Sequence, residues 1–139
     1  MPGSATQWLE QWVLGHTLGF GAMPPTPAVF VGLCTTAPSA LAGGTEVAGN
    51  GYARQGATFA LISTPPNIAA NTASIEYPAA TAAWGTIGWF ELWDAVTAGN
   101  RLYWGPLVDP TDGVTPITRS ITAQDIMRFS AGVIQVQAI

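Results

Sequence analysis

The chain has 139 residues, enough for one domain with a real core and too few for two ordinary ones. Only 9% of residues are charged, against roughly 25% in an average soluble domain, and the net charge is −4 with no lysine. Four arginines, Arg54, Arg101, Arg119 and Arg128, are the only fixed cations, so the basic footprint that a nucleic acid or an anionic membrane requires cannot be built.

So sparse a charged surface is unusual for a free monomer and implies a lasting assembly. A single cysteine, Cys34, excludes an internal disulfide framework and CxxC metal chemistry; it reads as a small buried apolar residue in a strand. No basic region precedes the N-terminal apolar residues, and Glu10, His16 and Pro24-Pro25 interrupt the richest apolar stretch. Neither a secretory signal nor a membrane span is expected, so the chain is expected to be used in a cell or in a particle assembled there.

Ser4 and Gln7 form a capping-box pattern, after which Trp8, Leu9, Trp12, Val13, His16 and Phe20 recur at helical spacing. A helix of about three to four turns is predicted, weakened by Gly15, Gly19 and Gly21 and stopped by Pro24, Pro25 and Pro27. Residues 1–27 therefore read as a helix with a proline-rich connector, and 28–139 as the main domain.

Residues 28–36 (AVFVGLCTT) form the first convincing strand. A glycine-laden loop follows over 37–51, with Glu46 its only charge; loops of that length in a compact domain are commonly functional. Residues 52–61 resume β-like alternation, 62–73 read as a second long connection containing Pro65-Pro66, and 74–78 as a short strand.

Residues 84–107 hold four of the six tryptophans. Two aromatic runs, 86–95 and 101–108, flank the turn-forming residues 96–100, which predicts a β-hairpin. Alternation places Ile87, Trp89, Glu91 and Trp93 on one face and Gly88, Phe90, Leu92 and Asp94 on the other, so both faces must be covered. The DPTDG run at 109–113 marks a turn, two or three short strands follow over 116–139, and Ser130-Ala131-Gly132 forms the last tight turn. The whole predicts an all-β, antiparallel, jelly-roll-like sandwich with a short N-terminal helix.

Chemistry is scarce. One histidine and no G-x-S-x-G elbow argue against nucleophilic catalysis, and His16, between Trp12 and Phe20 on the apolar side of the helix, reads as structural. The inventory supplies no zinc site, and Asp109, Asp112 and Gly113 lack the further acids of a calcium loop. Glu91 and Asp94 point to opposite faces of a strand, which makes them a poor catalytic pair; Glu91 between two tryptophans reads instead as half of an ion pair with an arginine. No catalytic, cofactor-binding or metal-binding residue is assigned, and no enzyme activity is expected. The tryptophans read as core and interface anchors, with sugar stacking as the competing use.

VFVGLCTTAP at 29–38, GGTEVAGNGYARQ at 43–55, YPAATAAWGT at 77–86, LWDAVTAGNRLYWGPL at 92–107 and FSAGVIQVQ at 129–137 together resemble a family of small tailed-bacteriophage virion proteins. The resemblance covers most of 5–139. Its one departure is the segment 109–124, longer than the short turn-rich hairpin usual there. Such proteins carry tail-fibre-like labels, and similar small β-sandwiches act as capsid cement or decoration. The resemblance implies a virion location after assembly in the host bacterial cytoplasm, and partners that are copies of itself and other virion proteins, the major capsid protein among them. A capsid cement role is expected, with a tail-fibre or tail-tip component and a carbohydrate-binding adsorption module as alternatives. Trp8 and Trp12 on the helix and Glu46, Val47, Asn50 and Tyr52 in the glycine-rich loop are the expected assembly contacts.

Overall fold

A computed structural model describes residues 3–22, 28–64 and 67–137. The predicted proline connector at Pro24, Pro25 and Pro27 and the Pro65-Pro66 pair lie outside the described residues. The fold is an all-β sandwich of antiparallel strands with one short helix near the N-terminus.

The chain opens with β1 (Ser4–Ala5), paired with β9 (Arg101–Pro106) through Ser4↔Trp104 and Ala5↔Tyr103. Pairing of Ser4 displaces the predicted capping box: the N-cap of α1 (Gln7–Thr17) is Thr6, whose hydroxyl accepts from the Leu9 N–H at 3.3 Å and donates to the Arg101 carbonyl at 2.6 Å. Thr6 is buried, so the cap also ties the helix to the sheet. At the other end the N–H groups of Phe20 and Gly21 both donate to the Gly15 carbonyl at 2.9 Å, and Gly19 takes φ 80°, the left-handed conformation that ends a helix cheaply only at glycine. His16, expected on the packed side, is exposed in the last turn instead.

The principal sheet has five strands in the order β1-β9-β8-β2-β3, with β2 at Val29–Cys34, β3 at Gln55–Ala57 and β8 at Trp89–Trp93. The predicted 52–61 strand is broken at Thr58: β3 pairs with β2, while β4 (Phe59–Ser63) leaves for a second sheet and pairs with β5 (Ile68–Asn71). That strand stands where a long connection was expected. Its sequence, IAAN, has little intrinsic β character and is held by neighbours on both sides, β4 and β12 (Gln135–Gln137). Two small ribbons complete the fold, β6 (Ile75–Glu76) with β11 (Arg128–Phe129) and β7 (Gly85–Ile87) with β10 (Arg119–Ile121).

The core lies against one face of the principal sheet. Val31 and Leu33 of β2 and Phe90 and Leu92 of β8 meet Ile75, Tyr77, Ile121, Met127, Phe129 and Ile134 from the other layer. Tyr77 anchors it, with its hydroxyl donating to the Val31 carbonyl at 2.7 Å and its ring stacked at 6.1 Å on Tyr52 and edge-on to Trp84. Ile87 joins this core rather than the Trp89–Glu91–Trp93 face. The regular alternation is interrupted at Gly88, between β7 and β8, where the chain changes sheet: the Gly88 N–H donates to the Cys34 carbonyl and its own carbonyl accepts from Leu107. Cys34 is a free, buried thiol at the end of β2, as its composition suggested.

Candidate assembly surface

Register fixes which side chains share the outer face of the principal sheet. Phe30, Trp93 and Arg101 form one cross-strand row, Gly32, Glu91 and Trp104 the next, and Cys34, Trp89 and Pro106 a third. This face carries charge, yet Glu91 is only 1% exposed. The cover comes from the same chain. The Gly44 N–H of the glycine-rich loop donates to Glu91 Oε2 at 3.1 Å, and Arg101 Nε reaches the same oxygen at 3.4 Å. The ion pair expected for Glu91 is therefore present, with Arg101 as its partner.

The pair is incompletely bonded. Glu91 Oε1, Arg101 Nη1 and the indole nitrogens of Trp93 and Trp104 are buried without a hydrogen-bond partner among the described residues. Buried charge of this kind costs desolvation that the mutual attraction only partly repays, so its contribution lies in fixing register and loop position more than in net stability.

A second, partly buried pair fastens the loop more fully. Arg54 grips Glu46 with Nε at 2.9 Å and Nη2 at 2.8 Å, while Nη1 donates to the carbonyls of Ala95 and Ala98 in the hairpin turn. Its guanidinium lies 3.9 Å over the Trp93 ring. Tyr52 donates to Glu46 Oε2 at 2.6 Å and accepts from the Leu33 N–H at 2.9 Å. Gly32 makes room for this arrangement, since a Cβ there would sit 2.8 Å from Glu46 Oε2. Burial opposes the charge on Arg54, but its hydrogen bond to Glu46 and the charge of Glu46 outweigh that and hold it above its ordinary pKa. Burial, then the hydrogen bond to Glu46, pushes the Tyr52 phenol far up, and burial, then the charge of Glu91, does the same to the Cys34 thiol. Cys34 therefore has no nucleophilic thiolate to offer.

The residues singled out in the sequence fall into two groups. Glu46, Val47 and Tyr52 are engaged within the chain: Val47 is buried and bonded through its N–H to the Leu33 carbonyl, and the other two form the clamp just described. Asn50, at φ 55°, accepts from Trp84 Nε1 at 2.8 Å through its carbonyl and donates its amide to the Ala83 carbonyl at 3.1 Å, but its side chain stays at the surface. Trp8 and Trp12 are half-buried on α1, their rings 5.8 Å apart. Beside them Val13, Leu14, Leu18 and Phe20 are exposed, as is Leu41 in the neighbouring loop. Arg54 was not singled out, although its position four residues past the N-G turn and its rarity in a chain of four arginines were visible signals.

Among the described residues no three His, Cys, Asp or Glu side chains are grouped to hold a metal ion, and no helix is long and apolar enough to cross a membrane. The arrangement is an internally latched sheet face beside an apolar helix surface.

Residues 4–137 match the family model described as Podophage GP4 fiber I protein gp80. No curated protein matches the chain.

Proposed function

We propose that this chain, which belongs to the podophage GP4 fiber I protein gp80 family, is a non-enzymatic structural subunit of a phage fibre, assembled with copies of itself and with other virion proteins. The observation that carries the reading is the extent of the family match, which runs from β1 through α1 to the end of β12 and so concerns the whole folded unit rather than one motif. A fibre position takes precedence over the capsid cement role on the family's own description; cement remains the competing reading.

The physical support is the helix surface. Leu18 and Phe20 are about three-quarters exposed, at 70% and 73%, in a chain with no lysine to keep such a patch solvated. Covering apolar area contributes about 25 cal/mol per Å², so a modest contact made in every copy stabilises an assembly strongly. In this reading Trp8 and Trp12 brace the contact, Asn50 is available at the loop's end, and Glu46, Val47 and Tyr52 shape the surface from beneath.

Quantitative mass spectrometry and antibody labelling of purified particles test the position: a handful of copies at the tail supports the fibre, hundreds over the shell make it a cement. Light scattering of the isolated protein tests the surface. Leu14→Asp with Leu18→Asp lowers the assembled mass to that of a monomer; an unchanged mass removes α1 as the contact. This substitution is preferable to deleting residues 1–27, which would also strip β1 from β9.

A further inference from the structure

Two of the four arginines are consumed in the pairs with Glu46 and Glu91. The other two, Arg119 on β10 and Arg128 on β11, border the same cleft, a space of about 260 Å³ on the far side of the principal sheet. The Arg119 side chain has no ion pair or hydrogen bond among the described residues, its backbone being paired with β7. Arg128 has only a long 3.9 Å approach to Glu76, with both side chains more than half exposed. All the uncommitted fixed positive charge of an acidic molecule is thus gathered at one concavity. No acidic side chain lines the cleft; the nearby Asp109 accepts from the Thr111 N–H and hydroxyl, and Asp112 from Val114 and Thr115.

We propose that this cleft binds a carboxylate-bearing saccharide unit, a uronic-acid residue of a surface polysaccharide, a proposal that rests on the fibre reading for where such a ligand is met. The guanidinium groups supply the planar, charge-assisted donors that recognise a carboxylate. Leu107, Ile117 and Phe129 offer an apolar lining for the C–H face of a pyranose ring, and Ser130 and Gln135, whose amide nitrogen also donates to the Gly132 carbonyl at 3.0 Å, line the cleft beside its hydroxyls. The volume falls just below the range of roughly 300–1,000 Å³ usual for drug-sized ligands, which suits a single ring. Turns at 110–113 and 130–133 contribute to the walls, so the site presents a compact pocket and not the extended edge or groove that holds a peptide. Two guanidinium groups match the single carboxylate of one uronate ring and fall short of the dense charge of a polyphosphate.

Isothermal titration of the full chain with oligomers of galacturonate, glucuronate and mannuronate tests the assignment, with neutral hexose oligomers and oligoglutamate as comparisons. At least one uronate oligomer binds, weakens with added salt, and loses about tenfold in affinity on Arg119→Gln or Arg128→Gln, as expected for a charge-assisted pair. Both substitutions are at exposed positions, and an unchanged melting temperature verifies the fold. Absence of binding by all three uronates, equal binding of the neutral oligomers, or binding that survives Arg119→Gln/Arg128→Gln overturns the site. Equal binding of oligoglutamate replaces the saccharide with an acidic peptide. Failure here leaves the particle copy number untouched, whereas a shell location with intact uronate binding overturns the fibre and spares the cleft.

Discussion

The two sides of the principal sheet treat arginine in opposite ways. On the outer face Arg54 and Arg101 are nearly buried, with side chains 8% and 9% exposed, and each is matched to a glutamate that the glycine-rich loop helps to enclose. Across the core, Arg119 and Arg128 stand at the rim of a cleft, Arg128 with only a long, exposed approach to Glu76. A charge enclosed with its partner fixes structure, because removing either half strands the other in a low-dielectric interior; a charge at a rim is screened by water and contributes to recognition instead. In a chain of only four cations, this division separates the latch that shapes the protein from the groups available to a ligand.

The largest effect is expected at Glu91. Glu91→Ala leaves Arg101 buried and unpaired and lowers stability by about 3–5 kcal/mol, read from chemical denaturation. Replacing both members, Glu91→Met with Arg101→Met, recovers most of that loss; a double variant as unstable as the single one would mean that the pair itself, rather than the stranded charge, supports the fold.

The second clamp is next. Tyr52→Phe removes one hydroxyl that serves Glu46 and the Leu33 N–H together, and costs about 1–3 kcal/mol because a buried donor and a carboxylate oxygen lose a partner. Arg119→Gln and Arg128→Gln should each move stability by less than about 0.5 kcal/mol, since neither side chain is tied into the fold. A large loss of melting temperature in either would place that arginine with the latch.

The smallest effect is a local one in acid. Hydrogen bonds from the Thr115 hydroxyl, then from the Val114 and Thr115 N–H groups, hold the Asp112 carboxyl down at about 2, against an ordinary value of 3.8. A depressed folded-state pKa contributes ordering that is full above about 4 and disappears as pH falls through about 2. Carboxyl chemical shifts followed by NMR should report that midpoint, with the turn at 109–115 loosening while the latched face of the sheet, remote in sequence, keeps its amide protection.

Sequence legibility followed the range of the interaction involved. The hairpin of β8 and β9, the strand β2, the turns at 109–113 and 130–132, and the pairing of Glu91 with an arginine were all readable, because each rests on neighbouring residues or on the cost of burying a charge. The true N-cap was not: Ser4 satisfies the capping-box pattern as well as Thr6 satisfies the cap, and only the pairing of Ser4 with Trp104 decides between them. His16 was misplaced for a related reason, since a helical period identifies a face but not whether anything packs on it.

What composition and pattern determined by themselves is the class of fold: a charge-poor, tryptophan-rich β chain with one helix near its N-terminus. Only the tertiary structure decided that β5 is a strand, that Gly88 carries Ile87 into the core away from Trp89, and that the arginines divide into two enclosed and two at the rim of a cleft. Each of those depends on contacts between residues far apart in the chain. Period and propensity describe what a segment can do; strand pairing and enclosure, which distant neighbours supply, select what it does.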